Sequence, residues 1–302
     1  MLGNIDYRNP VDYSHPHLRD CELLLKALPT LRGDVFYDLS PHGRHGTLTN
    51  MNPASDWVIR QRGIVLDLDG SDDRVSIPDQ DGLSFGDGTT DMPLSVMAWT
   101  RIEGYGGGSY PFYPIVSKYD SYDPFRGEYL LSVSSAGAVE FMVLDDGTAN
   151  RCMQSSASSA IATNTWVHVA AVYDGSAADE GITLYLNGEV LASTGKGQDG
   201  SYVAMHNRAS PVDVGAALYA GTDTYRGYAN GQIDDARTYS RALTAEELRD
   251  IYLDTLGMRY SWIPRVGAGL PVMSYYQAPT AFVPQIMEYP IQRRQLVAVG
   301  YR

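Results

Sequence analysis

The chain has 302 residues, 44% of them hydrophobic, and carries 36 acidic against 23 basic side chains for a net charge of −13. No apolar run approaches the roughly 20 residues needed to span a bilayer, which excludes a transmembrane helix. The acidic balance opposes nucleic-acid binding, because phosphate contacts need clustered Lys and Arg. This length and composition fit one soluble, β-rich domain with terminal extensions.

Residues 1–33 predict an N-terminal arm. Pro10 and Pro16 break the segment NPVDYSHPHLRD, and only CELLLKALPTL offers a short apolar run. That run leaves an extra edge strand open as the alternative. The segment also lacks the basic-then-apolar pattern of a Sec signal peptide, so we expect none.

Cysteine and histidine residues give little sign of a metal centre. Cys21 and Cys152 lie far apart with no metal-ligand spacing, and two free thiols, one of them buried, are favoured over a disulfide. His42 and His45 lie three residues apart, but no helix would align them. His168, in WVHVAAV, is expected to pack inside the fold.

An aromatic, Gly-rich stretch over residues 104–129 predicts a contact surface. Flat rings stack on sugars, anchor protein interfaces, or pack a loop onto a sheet edge, and the pattern leaves all three open. The candidate contact residues are Tyr105, Tyr110, Phe112, Tyr113, Tyr122 and Phe125.

Residues 182–191 predict a β-hairpin. Ile182, Leu184 and Leu186 alternate with polar or aromatic residues at the period of two that sends side chains to opposite faces. Asn187-Gly188 follows, and both residues tolerate the positive φ of a two-residue turn.

Residues 227–252 predict a strand and then a short helix. In the strand, Ile233, Asp235, Arg237 and Tyr239 are expected on one face. Thr244 lies three residues before Glu247, a capping box at a helix start. The expected core of the fold includes or borders Trp99, Val169, Val172, Leu184, Leu186, Ile233 and Tyr239.

Residues 257–302 predict an extended C-terminal arm. Its five prolines forbid a long helix, yet it is too apolar for a disordered linker. It has five arginines and one acid, whereas residues 63–256 have 28 acids and 11 bases. A basic arm that meets an acidic neighbour is one interpretation, and an ordinary acidic, soluble surface is the other. The candidate assembly residues are Trp262, Arg265, Tyr275, Tyr276, Phe282, Tyr289, Arg293 and Arg294.

Motifs of catalysis are missing from the sequence. Glycoside hydrolases need paired carboxylates, which on one strand would read Glu-x-Asp-x-x-Glu or Glu-x-Asp-x-Glu. Neither string occurs, and Glu128 and Glu140 stand alone. There is also no Gly-x-Ser-x-Gly elbow, HExxH pair or phosphate-binding Gly loop. We therefore expect no enzymatic activity.

Several segments in order resemble a known family. They are 69–77 (DGSDDRVSI), 94–102 (LSVMAWTRI), 115–118 (IVSK), 166–193 and 227–252. Together they resemble the laminin G-like jelly roll of the concanavalin A-like lectin/glucanase superfamily, over roughly residues 34 to 254. The resemblance implies an all-β, two-sheet antiparallel jelly-roll sandwich over residues 34–256, with one short C-terminal helix and the two arms.

The resemblance also implies a calcium site. Related jelly rolls often hold one calcium between early and late loops, and Asp38 and Asp234 lie at matching places. The alternative is that Asp38 caps its own turn and that Asp234 pairs with Arg237 or another cation. His45, in a loop like the family's, is expected to be a structural hydrogen-bonding residue.

Three functions remain open. The first is a structural protein of a virion, because such jelly rolls resemble capsid decoration, fibre or tail components of tailed phages. Its partners would be capsid or tail proteins, or other copies of the chain. The second is a carbohydrate-binding lectin module at a cell surface or outside the cell, and the third is a glycan-cleaving enzyme. The missing signal, the missing carboxylate pair and the two arms favour the first.

Overall fold

The computed structural model describes residues 13–28, 33–105, 112–122, 125–145, 150–199, 201–219 and 224–256. The predicted C-terminal arm and all eight of its candidate assembly residues lie outside these ranges. No helix within them is long and apolar enough to cross a membrane.

The described residues are mostly β. One α-helix, α1 (Ala245–Leu256), and single 3₁₀ turns at Pro16–Leu18, Asp81–Leu83 and Asp179–Gly181 accompany the strands. The strands in chain order are β1 (Cys21–Leu25), β2 (Val35–Phe36), β3 (Gly46–Thr49), β4 (Trp57–Arg60), β5 (Gly63–Asp69), β6 (Arg74–Ile77), β7 (Leu94–Tyr105), β8 (Phe112–Tyr122), β9 (Phe125–Ser134), β10 (Val139–Leu144), β11 (Arg151–Ser156), β12 (Trp166–Tyr173), β13 (Ile182–Leu186), β14 (Glu189–Leu191), β15 (Ser193–Asp199), β16 (Val212–Val214), β17 (Ala216–Tyr219) and β18 (Thr224–Tyr239).

These strands form two antiparallel sheets. Sheet A has the order β14-β13-β12-β7-β18-β5-β4, with β1 and β17 also paired to β18. Sheet B has the order β15-β11-β10-β9-β8-β16-β6-β3-β2. Some strands that are neighbours in a sheet are far apart in the sequence, as β7 and β18 are, which is the crossover pattern of a jelly roll. The predicted fold class is confirmed.

The main core lies between the sheets, where side chains of alternate residues meet. Its fully buried members include Val96, Tyr113, Leu131, Phe141, Val169, Val214 and Ile233. The predicted Leu184 also lies here, and Leu186 packs against it while partly buried.

A second apolar cluster covers the outer face of sheet A, where α1 packs. It contains Leu24, Met97, Val172, Tyr239, Leu248 and Ile251. The predicted capping box starts α1: the Glu247 amide donates to Thr244 Oγ1 over 3.2 Å, and the Thr244 amide donates to Glu247 Oε2 over 2.9 Å. Trp99 also faces this helix, since its Nε1 donates to Thr255 Oγ1 over 2.8 Å. All seven predicted core residues therefore lie in or beside the two clusters.

The fold begins before the boundary predicted at residue 34. β1 pairs with the second half of β18, with Leu25 opposite Ala236. Leu23 and Leu25 enter the main core, whereas Leu24 enters the second cluster, so β1 is buried on both faces. A strand buried on both faces reads as a continuous apolar run without alternation. The described part of the N-terminal segment is therefore the edge-strand alternative.

A bulge in β18 changes the predicted face assignment. Asp235 has a φ of 57°, and the pairing register with β7 shifts between Asp234 and Arg237. The extra residue reverses the alternation beyond it. Ile233 therefore enters the main core while Tyr239 enters the second cluster, and the prediction that they share a face is wrong.

Turn and thiol predictions agree with the structure. Asn187 and Gly188 have φ values of 52° and 78° and connect β13 to β14 as the predicted two-residue turn. Cys21 and Cys152 are free, and both are buried. Burial raises the pKa of each thiol to about 12.

Gly231→Ala should destabilise the sandwich strongly. Gly231 has a φ of 139°, and an added Cβ would clash with the carbonyl oxygen of Arg101 on β7. Strained backbone and a clash in the middle of sheet A should lower the free energy of unfolding by about 2 kcal/mol or more in urea melts. Gly197→Ala is the matched control, because nothing lies within 4 Å of its added Cβ. Equal losses in both variants would contradict this account of sheet A.

Candidate functional site

An irregular segment, residues 201–211, links β15 to β16, and several buried polar side chains bind to it. We call it the strap. Its backbone lacks regular sheet partners, so its amide and carbonyl groups need other partners when buried. Carboxylates from three separate parts of the fold provide them: Asp91, Glu128 and Asp145.

Asp91 holds the first part of the strap. Its Oδ1 accepts the Met205 amide over 2.7 Å, and its Oδ2 accepts the hydroxyls of Tyr173 and Tyr202 over 2.5 and 2.6 Å. Burial raises the pKa of Asp91. The burial of Tyr202, together with the charge of Asp91, raises the pKa of the Tyr202 hydroxyl. Asp91 is thus a fully used structural carboxylate.

Asp145 holds an overlapping part of the strap, at Val203 and His206. Its Oδ2 accepts the Val203 amide over 3.1 Å, and His206 Nε2 lies 3.1 Å from its Oδ1. His206 remains about one-third exposed. This pair lies at the surface of the strap.

Glu128 and Lys118 form a buried ion pair beneath the last part of the strap. Lys118 Nζ lies 2.7 Å from Glu128 Oε1 and 2.8 Å from Asp79 Oδ1, and it also donates to the Arg208 carbonyl oxygen. Glu128 Oε1 further accepts Ser84 Oγ over 3.0 Å and the Arg208 amide over 2.9 Å. Both side chains of the ion pair are fully buried.

Glu128 Oε2 is a different case. It is buried and accepts no hydrogen bond from any residue that the structure describes. Burial raises the pKa of Glu128, and the nearby Lys118 ammonium offsets part of this rise. Because Glu128 has no exposed surface, it cannot donate a proton to a substrate bound outside the protein. The ion pair holds the strap on the sandwich and does not resemble the solvent-accessible carboxylate pair of a glycosidase.

The predicted aromatic residues divide between core and surface. Tyr113 is fully buried, and its hydroxyl contacts Thr100 Oγ1 over 3.1 Å and the Gln232 carbonyl over 3.3 Å. It points inward by the ordinary alternation of a strand, because Tyr113 lies in the main core while the preceding Phe112 packs against a separate small cluster. Tyr113 therefore cannot touch a partner, and that part of the contact prediction is wrong.

Phe112 and Tyr105 are partly buried and remain at the surface. Phe112 packs against a small cluster that includes Leu130 and Ala217, and Tyr105 packs against the edge of the main core. Tyr110 lies outside the described residues, and for Tyr122 and Phe125 only the strand pairing of β8 with β9 is described. A contact role for these residues stays a prediction.

Asp38 is a turn carboxylate with both oxygens in use. Oδ1 accepts the amides of Leu24 and Ser40, each over 2.8 Å, and Oδ2 accepts the Arg44 amide over 2.6 Å. His45 Nδ1 accepts the Asp38 amide over 3.1 Å, the structural role expected of His45. This is the capping alternative of the sequence analysis.

Asp234 pairs with cations of the chain itself. It is fully buried, contacts Lys26 Nζ, and lies 3.8 Å from Arg62 Nε. Arg237 pairs instead with Asp235, over 2.7 Å. Neither Asp38 nor Asp234 belongs to a described group of three close metal-ligating side chains. The calcium site stays a prediction, and the donors around both carboxylates favour the structural alternative.

Asp69, Asp72 and Asp73 form a compact acidic group in the DGSDD turn after β5. Asp73 is almost fully buried, and its Oδ2 accepts the Asp69 amide over 3.0 Å. Burial, with smaller contributions from the charges of Asp69, Asp56 and Asp72, raises the pKa of Asp73 to about 6.

A cavity of about 180 Å³ lies at the edge of the sandwich beside β13 and β14. Its lining includes Gln154, Glu180, Leu184, Val190 and Lys196. Ligand pockets usually measure about 300–1,000 Å³. This cavity is therefore smaller than a usual ligand pocket.

The sequence did not identify Lys118, Asp91 or the strap as a unit. Lys118 follows Ile115, Val116 and Ser117 inside a strand, where a charged side chain needs a buried partner. A lysine in such a strand, together with the isolated Glu128, is the sequence signal that could have predicted this ion pair. Nothing in the strap itself marks which carboxylates hold it.

Glu128→Gln should destabilise the protein because, among the described residues, it leaves the buried Lys118 with Asp79 alone as its charged partner. Glutamine keeps the shape and an acceptor oxygen, so the lost charge is the main change. We expect about 2 kcal/mol or more in the free energy of unfolding, measured by urea denaturation. Glu189→Gln is the matched control: Glu189 lies 2.7 Å from Arg249 but is exposed, and its loss should cost no more than about 0.5 kcal/mol. Equal losses in the free energy of unfolding for the two variants would mean that burial does not make the Glu128 ion pair more important for stability than an exposed one.

Asp73→Asn should change the pH dependence of stability. A carboxyl whose pKa is raised by folding stabilises the protein at pH values below its pKa in the unfolded state. This contribution is lost as the pH rises through the folded-state pKa of about 6. The variant lacks that loss, so its stability relative to the parent should increase between pH 4.5 and pH 7.5 by about 1–2 kcal/mol, reduced by solvent screening. Urea melts at each pH measure the difference, with the exposed Asp81→Asn as control. Parallel profiles for Asp73→Asn and the parent would contradict the prediction.

Comparisons with known proteins agree with this geometry. The model of the concanavalin A-like lectin/glucanases superfamily, in its laminin G form, matches residues 69–249. A comparison with curated protein sequences gives no significant match.

Solved structures with the same fold include the receptor-binding domain of botulinum neurotoxin D, with a TM-score of 0.55 and 16% identity over 80% of this chain and 54% of that one. The binding domain of Paraclostridial Mosquitocidal Protein 1 gives a TM-score of 0.53 and 14% identity over 78% and 52%. The binding domain of botulinum neurotoxin serotype G gives 0.53 and 17% over 77% and 50%. The chain spans about half the length of these domains, and at such identities the likeness shows the fold. The two crossed-over sheets and the match over residues 69–249 together establish that the chain belongs to the concanavalin A-like lectin/glucanases superfamily.

Proposed function

We propose that this chain acts by binding and assembly, without turning over a substrate. The observation that carries the proposal is the burial of Glu128. It is an isolated acid on a strand of the sandwich, it has no exposed surface, and its Oε1 is paired with Lys118, Ser84 and the Arg208 amide of the strap. A glycosidase of this superfamily would need two carboxylates open to the sugar.

In its finer form the proposal is a virion surface component of a tailed phage: a capsid decoration, fibre or tail protein. The sandwich would be displayed, and the C-terminal segment 257–302 would tie it to capsid or tail proteins or to other copies of the chain. The support is the composition of that segment, which joins aromatic side chains to five arginines beside an acidic sandwich. Aromatic and arginine side chains are the commonest energetic anchors of protein interfaces.

A lectin module at a cell surface is the second candidate. Phe112 and Tyr105 remain partly exposed, and aromatic rings of this kind stack on sugars. The solved relatives are described as receptor-binding or binding domains, which fits a recognition role for the fold. A glycoside hydrolase is the third and least supported function.

Deleting residues 257–302 should leave the sandwich folded and prevent incorporation into the particle. The described fold ends at Leu256, so circular dichroism and the melting temperature should change little. Particles that form in the presence of the shortened chain should lack it when their proteins are separated and identified. At low salt, Arg293→Ala should weaken incorporation more than Lys196→Ala, which removes one exposed cation from the sandwich itself, and raised salt should narrow this difference because it screens the contacts of the arginine.

Two results would refute the proposal. One is full occupancy of the shortened chain in the particle. The other is hydrolysis of a glycan by the purified full chain at enzyme-like rates. Retained glycan binding without incorporation into any particle would instead favour the lectin module.

A further inference from the structure

Two histidines and an aspartate meet where the N-terminal segment contacts the last turn of α1. One ligand atom each from His15, His17 and Asp254 lies within 4.8 Å of the other two. All three residues are partly exposed. This group lies apart from the strap, the Asp38 turn and the aromatic stretch.

The local backbone holds the two histidines in place. His15 precedes the 3₁₀ turn Pro16–Leu18, and its Nδ1 accepts the His17 amide over 3.2 Å. Leu18 is buried in the second apolar cluster, and the Tyr239 hydroxyl donates to the His17 carbonyl over 2.7 Å. The rings themselves lie edge to face, with centroids 4.6 Å apart. The pair is therefore anchored to the sandwich at His17 and Leu18.

His17 has a buried ring nitrogen that the protein leaves unsatisfied. Its side chain is 12% exposed, and Nδ1 makes no hydrogen bond with any of the described residues. Yet Nδ1 lies 3.3 Å from Asp254 Oδ2. A buried polar atom without a hydrogen bond costs free energy unless another partner is supplied.

We propose that His15, His17 and Asp254 form a binding site for a divalent first-row transition metal ion, with Zn²⁺ as the representative. Two imidazole nitrogens and one carboxylate oxygen are a common zinc donor set, whereas calcium takes oxygen donors. At Zn–N and Zn–O distances of about 2.0 Å, two ligands of a tetrahedral site lie about 3.3 Å apart, which matches the His17–Asp254 separation. A metal held by His15 Nδ1 would displace the His17 amide from that nitrogen.

Three protein ligands leave a fourth tetrahedral position for water or for a group from a partner. The side chain of Asp254 is 39% exposed, so that position can face solvent. The metal would join the segment before β1 to the end of α1, and thus fasten the first and last described parts of the sandwich to each other. This role is separate from the proposed binding function and does not depend on it.

Calorimetric titration of the metal-free full chain with Zn²⁺ at pH 7.5 tests the site. We expect one strong equivalent and a rise in melting temperature, because a ligand that binds only the folded state stabilises it. His17→Ala and Asp254→Asn should each weaken Zn²⁺ binding at least tenfold and remove the temperature shift. With Co²⁺ instead, the parent should show the visible absorption of a tetrahedral site, and Asp254→Asn should lose it.

Two matched controls separate the site from general metal binding. His206→Ala removes another histidine that lies 3.1 Å from a carboxylate, and Asp250→Asn removes the neighbouring carboxylate of α1. Both should bind Zn²⁺ like the parent. The proposal is overturned if the parent binds no Zn²⁺ at micromolar concentrations, or if Asp254→Asn and His15→Ala bind it unchanged. Asp254→Asn is nearly isosteric and partly exposed, so its result does not depend on a fold-disrupting change.

Discussion

The buried carboxylate of Asp234 is the interaction on which much of the fold depends. It lies in β18 with no exposed surface, contacts Lys26 beyond the end of β1, and lies 3.8 Å from Arg62 between β4 and β5. The guanidinium of Arg62 stacks on Trp99 at 3.7 Å and donates to the Thr255 carbonyl at the end of α1 over 3.1 Å. One negative charge thus connects β1, β18, β7, the β4–β5 turn and the helix. Removal of Asp234 would take this carboxylate from the buried Lys26 and Arg62, which is far more costly than the loss of a surface pair.

The same use of internal charge appears at the other sheet, where Lys118 and Glu128 secure the strap. Irregular chain is usually found at the surface because its backbone groups need partners. Here carboxylates and a lysine supply those partners, so an irregular segment can cover the core. These carboxylates stabilise the fold by binding buried groups, so they are not available for chemistry. A binding role, exerted through the outer surface, is consistent with that distribution.

Local patterns predicted the features that depend on neighbours in the sequence. The alternation in β13, the Asn187-Gly188 turn and the Thr244–Glu247 capping box all needed only short-range rules. The errors arose where a distant partner decides the outcome. Tyr113 lies in the main core because the opposite sheet covers its face of β8, and β1 is buried on both faces because the main core and the second apolar cluster cover it. No rule of periodicity contains that information, and the same is true of the His15–His17–Asp254 group, because Asp254 lies more than 200 residues after the two histidines.

The two thiols have a practical consequence. Cys21 and Cys152 are the only cysteines of the chain, and both are fully enclosed with pKa values raised to about 12. Thiolate is the reactive form, so neither should react readily with maleimides or mercury reagents while the protein is folded. A single cysteine introduced on the surface would then take up a spectroscopic label or a crosslinker selectively, without any need to remove the native pair. The burial that makes these residues chemically silent therefore makes the folded chain a ready carrier for site-specific probes.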